Sequence, residues 1–550
     1  MNGAEALVAM LAAYRVEVIF GLPGDTSIAL YDALSRQDAI RHVLTRDERS
    51  AAFMADAYAR LHGTPGVTEG PSGGGATYML PGIAEAHHSS VPVLALTTDN
   101  SLAMEHQGAL TALDQEALFR PVTKWSATVK RADLIPHVVR RAFRIMTSGR
   151  PGAVHLGLPK NILEETVRDP DLHAEAVCAR YPAFRTRPSA AEIERAAVLL
   201  AKAQRPVMLC GGGVHLSGAH AEVERLAELA GMAVATSING KGSISERHRL
   251  SLGVAGANGG KPLVHEFIEA ADLVLAVGTR LNYVTTNNWT ALRRNPKAAT
   301  IQVDIDGSEI GNNVRVDVGL AGDAAATLAD LASALEGRKQ LRRDVSGEIR
   351  EKAEAWKARD RERAESGLVP IRPQLVMAAL ARATPPGAVV VADPGTPTPF
   401  LAASFALGAA GRFTVIPRAH GGLGYAVPAS LGASFARPGV PIVCLTGDGS
   451  FGFSAGELET VSRIGAKIAV IQFNNSAFGW IKALQHARGY RYFGVELPRQ
   501  DCAEIARAFG WEGMRVTEPG CVEAAIRRAL SSERPAFVDI VTADEVEEPF

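Results

Sequence analysis

A carboxylate and a side-chain amide, Asp448 and Asn475, carry the clearest chemistry in this chain. They lie in the stretch GDGSFGFSAGELETVSRIGAKIAVIQFNNSAFG, with one helix and one strand expected between them. That arrangement brings both groups to the same end of a parallel sheet, where they suit a hard divalent cation holding a diphosphate. Mg²⁺ takes oxygen ligands and binds through one or two carboxylates plus substrate phosphates. Asp448, the amide oxygen of Asn475 and a backbone carbonyl near Ala477 would form the protein's share.

The elements that must position these groups follow from the local pattern. Residues 441–445 (PIVCL) form a short apolar run, which predicts a buried strand. Residues 446–450 read as a turn whose glycines let the backbone approach a ligand closely. Ser454 and Glu457 stand at capping-box spacing, so a helix is expected to begin there. Residues 467–473 (KIAVIQF) read as the next strand. Asn474 and Asn475 then fall at its carboxyl end, where open α/β sheets place ligands.

Across the chain, three βα blocks emerge. The first has strands expected at 16–20 and 91–96 and a helix at 51–61. A polar, Pro-containing connector covers 161–188. The second has strands expected at 207–210, 273–277 and 300–303, and a charged helical connector, 338–365, follows it as a solvated linker. The third contains the Asp448 motif. Repeated βα alternation makes the fold class α/β, with parallel, doubly wound sheets. The first and third blocks show no sequence repeat.

Bulk properties narrow the function classes. The 550 residues carry 58 Lys and Arg against 59 Asp and Glu, a balance that gives no basic surplus for nucleic acid. No apolar run approaches the roughly 18 residues of a membrane helix. The first residues lack a basic-then-apolar signal pattern, so a cytoplasmic location is expected. Cys178, Cys210, Cys444, Cys502 and Cys521 are scattered, without a CxxC pair, and read as buried free thiols. His87 and His88, near a helix end, read as structural, and no HxH or HExxH pattern suggests zinc.

The GDGS and NN motif resembles the cofactor motif of thiamine diphosphate enzymes. From about Glu5 to about Ile540 the chain is similar to the acetohydroxyacid synthase and benzoylformate decarboxylase group, through TRDERSAAFMADAYAR, RPVTK, IRPQ and HGGLGYAVP. The resemblance implies three domains: pyrimidine-binding (1–165), central (188–336) and diphosphate-binding (366–542). It implies thiamine diphosphate and Mg²⁺ as cofactors, the metal held by Asp448, Asn475 and Ala477. Locally, Asp47, Glu48 and Arg49 read as a charged helix N-terminus. The resemblance selects Glu48 as the carboxyl group hydrogen-bonded to a pyrimidine nitrogen, a role that suits a buried glutamate with a raised pKa.

Further residues follow from the same source. Leu423 matches the aliphatic wedge that keeps the cofactor bent, which is catalysis by proximity. Gly421 matches the carbonyl that accepts from the pyrimidine amine; the family patterns have no His at position 420, but its place beside Gly421 would let His420 face substrate as a proton shuttle. Gln115 matches a glutamine near the reacting carbon, and Pro71 to Ala76 matches a glycine loop of the first domain. Gly395, Thr396, Gly447, Gly449, Ser450, Phe478 and Gly479 would contact the diphosphate. Pro397 is set aside because it has no amide donor.

The central block raises the question of FAD, which acetohydroxyacid synthases carry without redox use. Gly211-Gly212-Gly213, Gly278-Thr279-Arg280 and Asp304-Ile305-Asp306 stand at matching places. Ala257-Asn258-Gly259 and Leu281-Asn282-Tyr283-Val284 depart from the family, the second removing an Arg associated with substrate. FAD, an adenine nucleotide or no nucleotide each fit this pattern, and the balance favours no tightly held flavin.

The implied function is decarboxylation of a 2-oxo acid donor with carboligation to a carbonyl acceptor, acetolactate synthase-like. Leu484 stands in place of that family's substrate-shaping Trp, which bears on the acceptor. The alternatives are a benzoylformate decarboxylase-like enzyme releasing an aldehyde, an oxidase with redox-active FAD, and a non-catalytic cofactor-binding paralogue. The family's active site lies between subunits, so a homodimer or homotetramer is expected, with neither nucleic acid nor membrane as partner.

Overall fold

The computed structural model describes residues 1–293, 295–338 and 344–545. It divides into two compact units. One comprises Met1–Phe184, Pro417–Val440 and Ser450–Ile468, and the other takes Arg185–Ile416, Pro441–Gly449 and the chain from Ala469 onward.

The first unit is built on a parallel sheet of β1 (Val18–Gly21), β2 (Arg41–Leu44), β3 (Gly66–Gly70), β4 (Val93–Asp99), β5 (Trp125–Thr128) and β6 (Val154–Pro159), in the order β2-β1-β3-β4-β6-β5. Its principal helix, Glu48–His62, starts where Asp47 accepts hydrogen bonds from the amides of Arg49 and Ser50. It stops at Gly63, whose φ of +82° only glycine adopts without strain. Alanines along this helix let neighbours approach to backbone contact. A Cβ on Gly432 of the helix Ala426–Ala436 would lie 2.1 Å from the Met54 carbonyl oxygen, and one on Gly82 would lie 2.4 Å from the Ala52 Cβ.

The second unit holds the central sheet of β7 (Pro206–Cys210), β8 (Ala233–Thr236), β9 (Ser251–Val254), β10 (Leu273–Val277), β11 (Ala299–Asp304) and β12 (Val318–Ala321), ordered β12-β11-β10-β7-β8-β9. Numbered within the sheet, that is the 3-2-1-4-5-6 order of dinucleotide-binding folds, read backwards. The third sheet contains β13 (Val389–Ala392), β14 (Thr414–Val415), β15 (Ile442–Gly447), β16 (Ile468–Asn474), β17 (Glu512–Val516) and β18 (Ala536–Val541), ordered β14-β13-β15-β16-β18-β17. This order repeats that of the first sheet strand for strand. The duplication invisible in the residues is therefore plain in the topology. Strands such as β10 (LVLAV) and β15 are buried along almost their whole length, as strands covered on both faces must be.

Three local expectations need correction. The segment 446–450 is not a simple turn, because a single helical turn, Asp448–Phe451, follows β15 directly. The next helix runs Glu457–Ile464 from Gly456, and no capping box forms. The Glu457 carboxylate instead accepts from the Arg46 amide at 3.0 Å and from the Thr460 hydroxyl at 2.7 Å. Among the cysteines four are buried, but Cys521 is exposed. In the charged connector, Ser346–Ala364 is a largely exposed helix, while 339–343 lie outside the described residues. Among the described residues, no helix is long and apolar enough to cross a membrane.

Candidate active site

The carboxyl ends of β13, β15 and β16 adjoin, because these strands are parallel and neighbours in the third sheet. Asp448 leaves β15, Asn475 leaves β16, and Gly395 and Thr396 leave β13. The Asp448 carboxylate accepts hydrogen bonds from the amides of Gly449 and Ser476, which ties it to the loop that carries Asn475. Burial nonetheless pushes Asp448 up to about 7, against those two amides. A carboxylate kept short of solvent in this way gains from an adjacent dication, which would hold it ionised.

The two asparagines divide the work. Asn474 donates to Asp539 at 2.8 Å and to the Gln500 carbonyl at 3.0 Å, so it braces β16. Asn475 donates through Nδ2 to Asp544, which is also held by Lys482 at 2.6 Å. With the amide nitrogen committed there, Oδ1 is the atom of Asn475 that suits a cation. Ser476 adopts φ +54°, and the backbone beyond it pairs back on the chain, with the Phe478 amide donating to Val495 at 2.8 Å. Ala477 is buried in this bridge.

Gly479 forms a cradle that no other residue would leave open. A Cβ there would stand 2.5 Å from Asn475 Nδ2 and 3.0 Å from Thr396 Oγ1. Gly395 has φ +100° and open space beside it, and Gly447 is nearly as open, its nearest neighbour the Phe473 carbonyl oxygen at 4.0 Å. Gly449 packs on the Phe478 ring, where a Cβ would come within 2.7 Å. Among the described residues, no group of three or more His, Cys, Asp or Glu forms a metal cage. One carboxylate and one amide suit a cation whose remaining ligands come from phosphate and water.

The first unit presents a second group. Glu48 begins its helix, is only 5% exposed, and has its carboxyl raised by burial and by neighbouring Asp47, against a backbone hydrogen bond. A Cβ on Gly75 would come 2.9 Å from Glu48 Oε1, and one on Gly70 would come 3.3 Å from its Cγ. The glycines of β3 and of the PSGGGA segment therefore make room for this carboxyl. Leu423 is half-buried in a loop whose glycines Gly421 and Gly424 have φ +73° and +79°. His420 and Gly421 are exposed, and Ser450 is buried, its hydroxyl accepting from the Gly424 amide at 3.3 Å.

Gln115 is buried rather than open. Its amide oxygen accepts from Thr97 and its nitrogen donates to the Thr98 carbonyl at 3.1 Å. Thr97 in turn meets His155 at 2.6 Å, a ring that burial drives down to about 3 and so keeps neutral. His87 and His88 close the helix Gly74–His88, with His88 turned onto the Ala84 carbonyl.

The sequence reading missed the network of Asp56, Arg60, Glu85 and Tyr425. Arg60 bonds Asp56 at 2.8 Å and Glu85 at 3.1 Å, and all three side chains are buried. The available signal was four-residue spacing of opposite charges inside an Ala-rich helix. In the central sheet, Gly211 and Gly213 pack against Gly278. A Cβ on Gly211 would lie 2.2 Å from the Gly278 carbonyl oxygen, and one on Gly213 would lie 2.7 Å from its Cα. Close backbone approach between these segments calls for glycine at each position. Val284 joins the apolar cluster of the third sheet.

Comparison with known proteins adds three family models. Residues 1–118 match the thiamine pyrophosphate enzyme N-terminal TPP-binding domain, 193–331 the central domain, and 393–540 the C-terminal TPP-binding domain. The probable acetolactate synthase large subunit of Methanocaldococcus jannaschii is 34% identical, covering 98% of this chain and 92% of that protein. That of Methanococcus aeolicus is 33% identical, covering 98% and 92%. The acetolactate synthase isozyme 3 large subunit of Escherichia coli is 32% identical, covering 98% and 94%.

Proposed function

The chain belongs to the thiamine pyrophosphate-dependent enzymes of the acetohydroxyacid synthase and benzoylformate decarboxylase group, and we propose that it decarboxylates a 2-oxo acid and joins the remaining acyl carbon to a carbonyl acceptor. The observation that carries this reading is the meeting of Asp448, Asn475, Thr396 and Gly479 at adjoining strand ends. When bound, thiamine diphosphate supplies a nucleophilic carbon and an electron sink that lets a 2-oxo acid lose CO₂.

The chain's own residues have distinct parts in this reading. Asp448, Asn475 Oδ1 and the Ala477 carbonyl would hold Mg²⁺, whose charge would balance that of the diphosphate. Backbone of Gly395, Thr396, Gly447, Gly449, Ser450, Phe478 and Gly479 would hold the phosphates. Glu48 holds a proton at its carboxyl against the pyrimidine ring, a task that favours a carboxyl raised by burial. Gly421 would accept from the pyrimidine amine, Leu423 would pack against the cofactor, His420 would exchange protons with substrate, and Gln115 would stand near the reacting carbon. The active site lies between two subunits, Glu48 from one and Asp448 from the other, so the working form is a homodimer or a homotetramer in the cytoplasm. An active monomer on gel filtration would overturn that arrangement.

The reading has no tightly held flavin, and close backbone packing already calls for glycine at Gly211, Gly213 and Gly278. A colourless purified protein supports this, and a yellow one that bleaches with pyruvate speaks for an oxidase. Val284 and Leu484 support an acceptor other than a second pyruvate, because apolar groups stand where the relatives' substrate-associated residues would be. They also favour a second reading, simple decarboxylation with release of an aldehyde. The test is incubation with thiamine diphosphate, Mg²⁺ and pyruvate, following CO₂ and separating acetolactate or acetoin from acetaldehyde. A coupled product supports the carboligase and acetaldehyde the decarboxylase. Absence of CO₂ across a panel of 2-oxo acids would leave the non-catalytic paralogue.

A further inference from the structure

Glu85 lies at 0% exposure inside the helix Gly74–His88, yet its carboxylate collects the amides of four consecutive residues distant in sequence. Arg418 donates to Oε1 at 3.1 Å, and Ala419 reaches both oxygens at 3.3 and 3.2 Å. His420 and Gly421 donate to Oε2 at 2.7 and 3.2 Å. Ser89 Oγ and Arg60 complete the shell on Oε1, at 2.7 and 3.1 Å. Successive amides converging on one anion form a nest, a geometry that fixes backbone because every donor shares the same acceptor. The far side of the loop is fixed too. Tyr425 donates to Asp56 at 2.6 Å, and Arg60 bridges Asp56 to Glu85. Leu423 is therefore bracketed by two anchors of one buried network, although His420 and Gly421 themselves are exposed.

We infer that Glu85 is the positioning residue of the catalytic loop: its carboxylate sets the backbone of Arg418–Gly421 and so the placement of the Gly421 carbonyl and the Leu423 side chain. The inference rests on the function proposed above for Gly421 and Leu423, and it adds a residue that touches neither cofactor nor substrate. A neutral amide at this position turns a donor group toward backbone donors, so Glu85→Gln should release the loop while Arg60 keeps its bond to Asp56.

The test uses the full-length protein and two variants, Glu85→Gln and Glu85→Asp. Hydrogen–deuterium exchange without cofactor should show the amides of Ala419, His420 and Gly421 exchanging about tenfold faster or more in Glu85→Gln, the scale of losing charge-assisted bonds. The helix Glu48–His62 should stay protected. With saturating thiamine diphosphate and Mg²⁺, turnover should fall at least about tenfold, while KM for the 2-oxo acid changes little. Glu85→Asp keeps the charge on a shorter arm and should fall between wild type and Glu85→Gln in both readouts; it also carries the test if Glu85→Gln does not fold. Unchanged exchange at the loop, or a freed loop with undiminished turnover, would overturn the inference. So would loss of protection across the whole unit in Glu85→Asp. If wild type itself has no thiamine diphosphate-dependent reaction, the proposed function falls, while the exchange result still decides whether Glu85 holds the loop.

Discussion

Tyr425 donates its phenolic hydrogen to Asp56 at 2.6 Å, across 369 positions of chain, and both groups are buried completely. The same Asp56 oxygen takes the Arg60 guanidinium. Burial raises Asp56, and Arg60 opposes the shift. Tyr425→Phe removes one of the two donors from a buried anion. It should destabilise the protein by about 1.5–3 kcal/mol, the range for hydrogen bonds to charged groups. Urea unfolding at pH 7 measures this, and a loss below about 0.5 kcal/mol would mean that Arg60 alone satisfies Asp56.

Glu48→Gln keeps the shape of the side chain and most of its surroundings, including the space left by Gly70 and Gly75. Cofactor affinity should therefore stay close to wild type. Turnover should drop by about 10²-fold or more, the scale of a lost acid–base contribution. Calorimetric titration with thiamine diphosphate and a steady-state assay separate the two quantities. Full activity would remove Glu48 from the chemistry.

The strand-end cluster makes a complementary prediction. Gly479→Ala places a methyl 2.5 Å from Asn475 Nδ2 and 3.0 Å from Thr396 Oγ1, so one of the two must move. The helix it begins tolerates alanine well. Cofactor affinity should fall by about tenfold or more while the unfolding midpoint barely changes. Asp448→Ala should abolish Mg²⁺-dependent retention of thiamine diphosphate, and chelation of Mg²⁺ should do the same to wild type. Retention that survives both treatments would show that the cation is held elsewhere.

These residues were legible in the sequence to different degrees. Asp448 and Asn475 stood out because a strand leads into Asp448 and one helix and one strand separate it from Asn475, and parallel pairing then does the rest. β10 was readable to the residue, as an apolar run with sharp edges. The capping box at Ser454 was not, because the Glu457 carboxylate found a tertiary partner in the Arg46 amide. Local propensity loses wherever a distant donor offers a better bond. Glu85 could not be singled out at all. One glutamate in an apolar helix carries no spacing signal, and its four amide partners lie more than 330 positions away. The repeated strand order of the first and third sheets was hidden for a similar reason: topology persists where residues do not.

Glu69 on β3 supplies a prediction about pH. It is fully buried, accepts from the Tyr31 hydroxyl at 2.7 Å, and fits only because β1 offers Gly21 opposite, where a Cβ would come within 2.8 Å. Tyr31 also meets His42 at 3.0 Å, a ring that burial and Arg463 push down to about 4. Burial raises the Glu69 carboxyl to about 8, with the charge of Glu48 adding to the shift and the bonds from Tyr31 and Ser27 opposing it. The unfolded chain releases this proton near 4.5, the ordinary value. Between those limits the folded protein binds more protons than the unfolded one, so stability falls as pH rises through the window and levels off above it. The slope from one such group approaches about 1.4 kcal/mol per pH unit. Glu69→Gln abolishes the contribution: the variant should match wild type near pH 5 and exceed its stability at pH 8.5. Urea midpoints across pH 5–9 give the difference between the two proteins, in which other buried acids such as Glu457 cancel. A difference that stays flat across the window would show that Glu69 is already ionised in the fold.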